Sequence, residues 1–173
     1  MPLVLTLMLT VVLAALGSAM AIGSATEMLI AGTHRDGTAL FYAADAAAEF
    51  ALEELARSDW DHVLDAGARS AFVEGTAADS ETLTGAPGYE VFAYGRFSDL
   101  LGRAPTAADP FVIVWIADLT ASWGAGGADG RVAGLRATAL GPAGTRRTLT
   151  LTARLTSADE QISVERLSWT QEP

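Results

Sequence analysis

The chain has no cysteine and no lysine among its 173 residues, and no charged side chain anywhere from Met1 to Thr26. Without cysteine there is no disulfide, no thiolate nucleophile and no thiolate metal site, so packing alone must hold the fold. Without lysine there is no Schiff-base chemistry and no phosphate-cradling lysine of the P-loop kind. Histidine is scarce as well: His34 and His62 are the only two. Neither has the spacing of a zinc motif.

Positive charge is the next shortage. Twenty-one acids face eleven arginines, a formal net charge of −10. Residues 1–60 carry seven acids and two arginines, residues 61–110 eight and three, and residues 111–173 six of each. The acidic excess therefore arises wholly in the first 110 residues. A surface of that sign is the opposite of what phosphate contacts require, so nucleic acid is not an expected partner. It also disfavours docking on anionic lipid heads. A solvated acidic face that keeps the folded part soluble accounts for it.

What is abundant is apolar sequence, and it sits at the front. Pro2 to Ile22 reads PLVLTLMLTVVLAALGSAMAI. About 20 such residues, at 1.5 Å each, cover a hydrocarbon core of roughly 30 Å. Thr6, Thr10 and Ser18 can return their hydroxyls to the preceding helical turn, and Pro2 suits a helix start, where its missing N–H costs nothing. A cleaved secretory signal is one reading, since Ala19-Met20-Ala21 resembles a small-x-small site. The run exceeds the usual 7–15 residue apolar core, however, and no basic segment precedes it. A plain membrane anchor is a second reading. A helix that spans a membrane and later lines a filament core is a third.

The sequence after Thr26 separates them. In residues 27–58, Phe41, Ala44, Ala48, Leu52 and Leu55 recur at three- and four-residue steps, while Asp45, Glu49, Glu53 and Glu54 fall mostly off that stripe. One helix from Pro2 to Arg57 would extend roughly 85 Å, far more than a domain of this size buries alone. Its front half must find partners in lipid or in similar chains. Gly17, Gly23, Gly32 and Gly37 punctuate it, each costing about 1 kcal/mol relative to alanine. Close helix packing and local softening are both open as reasons for them.

The apolar span, then Glu27-Met28-Leu29-Ile30-Ala31-Gly32-Thr33-His34-Arg35-Asp36, then Ala39 to Ala47, resemble the type IV pilins, and among them the PilX-type minor pilins. The family pattern runs roughly E-x-x-x-A-G-x-x-R-D, a short gap, then A-x-x-A-A-E-A-A. Glu27, Ala31, Gly32, Arg35, Asp36, Ala43 and Ala44 match it, with Asp45 in place of the usual Glu. Val164-Glu165-Arg166-Leu167-Ser168-Trp169 looks like a last strand of the group. The likeness covers the first 55 residues well and the remainder loosely.

That resemblance implies a short basic leader ending in Gly ahead of the apolar run. None precedes Met1, so the sequence is a mature or trimmed form, or its start lies upstream. Most pilins also carry Glu at the fifth mature position, which pairs with a neighbour's N-terminus during assembly. Leu5 stands there instead, with no acid near it. The departure implies a subunit at or near a filament tip.

For the folded part the expectation is α+β: the stem's C-terminal half laid on a four-stranded antiparallel sheet. Residues 1–26 form the transmembrane or filament-core half of the stem, 27–58 its amphipathic half, 59–110 an irregular region, and 111–173 the sheet. Trp60, Val63, Leu64, Phe72 and Val73 suit a short turn or helix against the stem, and 75–88 an exposed loop. Tyr89 to Tyr94 fits a short strand or, continued through Leu101, a helix. Phe111–Leu119, Arg131–Leu140, Arg147–Thr156 and Ile162–Thr170 are the strands, the last with a break in alternation before Leu167 and Trp169. Gly141-Pro142-Ala143-Gly144 makes a tight turn. The glycine-rich loop 121–130 presents Trp123 either as an exposed contact or folded back on the sheet.

No catalytic constellation stands out. Asp59 and Asp61 near His62 lack any nucleophile signature, and Asp118, Asp129 and Asp159 fall in loops without EF-hand order. No catalytic residue, cofactor or metal is expected, and the chain is read as not an enzyme. The functional expectation is a minor pilin-like structural subunit that helps assemble or initiate a type IV pilus, near the tip. A pseudopilin of a type II secretion or DNA-uptake system shares every feature, and a membrane-anchored or secreted binding domain is the third option. The pilin reading implies major and minor pilin subunits and the inner-membrane assembly machinery as partners. It places the chain in the inner membrane before assembly and in an extracellular filament afterwards. The interface residues would be Leu3, Val4, Leu5, Leu7, Met8, Leu9, Val11, Val12, Leu13 and Leu16. Stem–head packing would fall to Phe41, Ala44, Ala48, Leu52 and Leu55, with Trp123 a possible partner contact.

Overall fold

A computed structural model describes residues 2–57, 63–64, 70, 87–104, 106, 109–124, 130–158 and 161–172. Among the sequence readings, those on Trp60, His62, Asp59, Asp61, Phe72, Val73, Asp129, Asp159 and most of 75–88 lie outside these residues. Helix α1 runs Pro2–Arg57. Nothing in its interior forbids that length: its one proline is at the first position, and alanine and leucine dominate. The hydroxyls of Thr6, Thr10 and Ser18 donate to the carbonyls of Leu3, Leu7 and Ala15 at 2.9, 2.8 and 2.9 Å. Each polar group is thereby satisfied inside the helix and stays compatible with an apolar surrounding. At the C-terminal end Arg57 donates from Nε to the Glu53 carbonyl at 3.1 Å and from its guanidinium to the Glu53 carboxylate at 3.0 Å. A cation there also suits the negative end of the helix dipole.

The chain divides after Asp36 into two compact units. The first is the N-terminal part of α1. The second comprises the rest of α1 and a five-stranded antiparallel sheet of order β1-β2-β3-β4-β5. The strands are β1 Glu90–Arg96, β2 Phe111–Asp118, β3 Arg131–Leu140, β4 Arg146–Ala158 and β5 Gln161–Glu172. The expected antiparallel sheet on a stem helix is present, with one strand more than the four expected. The extra strand is β1. The stretch that fitted either strand or helix is both in succession, because β1 passes directly into a helical turn, α2, Phe97–Leu100. Asp109 stabilises that switch: both of its carboxylate oxygens accept from the Ser98 N–H, at 3.2 and 3.1 Å.

The core lies between α1 and one face of the sheet. From α1 it takes Leu40, Ala43, Ala44, Ala47, Ala48, Ala51, Leu52 and Leu55. Alternate residues of the strands meet them: Val112, Val114 and Ile116 from β2, Ala133, Leu135, Ala137 and Ala139 from β3, and Leu149, Leu151, Ala153 and Leu155 from β4. The period-two pattern of β4 is thus an inside and an outside. The outward-facing Thr148 bonds Thr138 across the β3–β4 ladder at 2.9 Å. A second, smaller cluster, Tyr94, Ile113 and Trp115, packs on the other face with Tyr89, Val91, Phe111 and Leu140.

Both edge strands carry an irregularity. In β1 the register shifts between Val91 and Ala93, so that Phe92 is the extra residue. In β5 Thr152 faces Ser168 and Ala153 faces Arg166, leaving Leu167 as the extra one. The break in alternation at the end of the sequence is therefore a β-bulge. It returns Trp169 to the same face as Val164 and Arg166.

Two glycines close the turns by necessity. Gly130, which leads into β3, has φ +80°, and a Cβ there would lie 2.2 Å from the Leu155 carbonyl oxygen. Gly141 has no room for a side chain, because Leu40 of α1 and the Thr145 hydroxyl lie within 3.0 Å of where a Cβ would be. After it, Pro142–Gly144 form one 3-10 turn.

Candidate assembly interface

In the first unit the large apolar side chains lie on the outside. Leu3, Val4, Leu5, Leu7, Met8, Leu9, Val11, Val12, Leu13 and Leu16 are all exposed, and so are Met20, Ile22, Met28, Leu29 and Ile30. The helix that carries them is long and apolar enough to cross a membrane. Water is a poor solvent for this surface: each such side chain gains about 1.5–3 kcal/mol when removed from it. The stem glycines Gly17, Gly23 and Gly32 have no described neighbour within 4 Å of a hypothetical Cβ.

In the second unit Ala44, Ala48, Leu52 and Leu55 are buried and Phe41 is half-buried. Sequence reasoning missed Leu40, Ala43, Ala47 and Ala51, which complete the stripe. Its centre lies one residue earlier than Phe41 suggests. Alanine is what permits a helix to lie close on a sheet. Phe41 sits at the margin, in edge-to-face contact with Tyr42 at 5.5 Å and with Trp169 of β5 at 5.8 Å. Beside it Arg166 of β5 donates to the Glu49 carboxylate, pairing the sheet's edge with the helix. On the far edge Ser70 donates its N–H to the Phe92 carbonyl at 2.9 Å and its hydroxyl to Glu54.

Trp123 is 48% exposed on the turn that follows β2. The turn is held at its base. Asp118 ends β2 rather than standing in a loop, and its carboxylate accepts from the Thr120 N–H at 2.9 Å, from the Thr120 hydroxyl and from Arg131. The Val132 N–H donates to the Thr120 hydroxyl oxygen at 3.1 Å. Partial burial pushes the Asp118 carboxyl up, but the hydrogen bonds from Thr120 and the Arg131 charge together outweigh it, so it lies below the ordinary carboxylate range. The sequence signal was available in Asp118-Leu119-Thr120, an aspartate poised to bond its own backbone two residues on.

On the sheet's other face Arg136 meets Glu172 at 2.6 Å, and Thr150 donates to the same carboxylate at 3.0 Å. The nearby Tyr89 hydroxyl titrates above its ordinary value. Burial is the main cause, Arg136 pulls the other way, and Glu172 adds to the rise. A cleft of about 210 Å³ lies by Val63, Leu64, Gly88, Glu90, Ile116, Ala117 and Asp118. Among the described residues no group of three or more His, Cys, Asp and Glu is placed to hold a metal ion.

The arrangement is a helix whose apolar surface no described residue covers, and a head whose aromatic and charged side chains join helix to sheet. Residues 1–49 match the family described as PilX N-terminal. No curated protein and no solved structure matches the chain.

Proposed function

With a PilX N-terminal segment as its first 49 residues, the chain carries the stem of a PilX-type minor pilin, and from that premise we propose that it helps assemble or initiate a type IV pilus close to the tip. The observation that carries this reading is the uncharged run from Met1 to Thr26 on a helix that exposes every large apolar side chain it has there. Before assembly lipid covers that surface, and in a filament the stems of other pilins replace lipid. The exchange is favourable because packed side chains gain dispersion contacts that fluid lipid tails do not supply. The inner-membrane assembly machinery and the major and minor pilins are the partners of such a subunit.

Charge supports the tip position. A carboxylate in the apolar segment would hold a neighbour's cationic N-terminus in a low-dielectric surrounding, where an unpaired ion is costly. No residue from Met1 to Thr26 is charged, so this stem suits a place where no such pairing is required. Trp123, half-exposed on the turn after β2, is the head's outward contact residue.

Quantification of a tagged chain in sheared, purified filaments tests the reading. Copy numbers far below those of the main pilin, together with loss of piliation on deletion, are expected. Abundance equal to the main pilin would overturn the tip role. A chain found with secretion filaments and absent from pili would overturn the pilus assignment.

A further inference from the structure

The stem exposes more apolar surface than a membrane accounts for. Met28, Leu29 and Ile30 are 73, 70 and 62% exposed, yet they follow Glu27 and precede Arg35 and Asp36, all three exposed. A stretch so flanked by charge lies outside the hydrocarbon. Three consecutive large side chains remain there in water, bracketed by two carboxylates.

The head carries a surface of the opposite make-up, along the seam where α1 meets β5. Tyr42 is 63% and Trp169 45% exposed, and both flank the half-buried Phe41 in edge-to-face contacts. These contacts fix the ring orientations before any partner arrives, which lowers the entropy lost on binding. At one end of the seam the Arg147 guanidinium lies over α1, 3.3 Å from where a Cβ of Gly37 would be, and it has no carboxylate partner among the described residues. At the other end the Arg166 charge is already engaged by Glu49. Tyrosine, tryptophan and arginine are the side chains that dominate binding energy at protein interfaces.

We propose that this seam receives the extramembrane stem segment of a neighbouring pilin-type subunit, a helical stretch with the chemistry of residues 27–36 of this chain. The neighbour's apolar side chains lie on Tyr42 and Trp169, and a carboxylate bracketing them meets Arg147. Charge complementarity selects this occupant: Arg147 is the seam's unengaged cation, and the stretch supplies acids on both sides of its apolar triplet. Contact is made by side chains rather than by the β5 backbone, since the bulge at Leu167 interrupts that edge. The inference rests on the pilin reading above and adds to it the surface through which the head recruits its neighbour.

The test uses the full-length chain in its own membrane, with a benzophenone amino acid placed at Tyr42. After irradiation, adducts should map to the stretch between the apolar span and the head of a pilin-type chain. Arg147→Glu should lower the yield about tenfold, a change the size of one hot-spot truncation. With the probe moved to Trp169, Tyr42→Ala should lower the yield by a similar factor. Tyr42 projects from the surface, so this variant keeps the fold. Filament content is measured in the same cells. A chain absent from filaments overturns the pilin reading. A chain present in filaments whose adducts fall on lipid, on a neighbour's head or on no protein overturns this inference alone.

Discussion

One helix, α1, deals with apolar surface in two opposite ways. Before Gly37 its leucines, valines and methionines are exposed and no described residue of the chain covers them; after it the buried residues are chiefly alanines. Large side chains stand where no described residue of the chain covers them, and mostly small ones where the partner is a rigid sheet of the same chain. A sheet cannot flow around a leucine as lipid does. Alanine lets the helix backbone come close, and the strands supply the bulk through Val114, Ile116, Leu135, Leu149 and Leu151. Burial in this protein is thus set by what each segment packs against, not by its own hydrophobicity.

The same substitution made in both halves offers the strongest way to break that contrast. Leu55→Ala removes a fully buried side chain and should lower head stability by about 2–5 kcal/mol, whereas Leu9→Ala should leave the thermal unfolding of the head unchanged. Equal losses in detergent-solubilised full-length protein would show that the two halves share one core. The reverse exchange gives the next effect. Ala47→Leu overpacks the helix–sheet contact at a cost of about 1–3 kcal/mol, while Ala14→Leu should be neutral in the same melt. A tolerated Ala47→Leu would mean that the alanines are not what sets the approach of helix to sheet.

The smallest effect sharpens the picture at the head's outer turn. The Asp118 carboxyl titrates lower in the fold than in the unfolded chain. Its contribution is therefore complete above the unfolded value, near 4, and is lost as pH falls through the lower folded value. The group is largely solvent-exposed, so the stability involved is small. Amide exchange at Leu119 and Val132 should quicken as pH drops through that window, once corrected for the intrinsic pH dependence of exchange. Asp118→Asn should flatten the response, and an unchanged profile in that variant would separate the turn from Asp118.

Much of this was legible in the residues themselves. The helix could be followed because charge and glycine kept one register beyond the apolar span, and β4 because polar and apolar residues alternate from Thr148 to Thr156. Ala44 and Ala48 were found through their spacing, but Ala43, Ala47 and Ala51 escaped because alanine, being favourable anywhere in a helix, does not mark a face. Tyr89 to Leu101 could not be assigned because strand and helix follow each other there with no breaker between, and the changeover is held from a distance, by Asp109 on the Ser98 N–H and the Pro110 carbonyl on the Phe97 N–H. The seam pairs Phe41 with Trp169 and Glu49 with Arg166 across more than a hundred positions; no local pattern encodes such a meeting. Asp118 is the instructive oversight, since its partner Thr120 was two residues away.

The bulges at Phe92 and Leu167 have a further consequence. A head tethered to a membrane by a helix such as α1 diffuses in two dimensions, where it meets its own kind at effective concentrations that can reach about millimolar. Two straight, open strand edges would then zip neighbouring heads into one continuous sheet. With a bulge in each edge strand, the head is a tile without matching sides, and neither edge strand offers a neighbour an uninterrupted ladder.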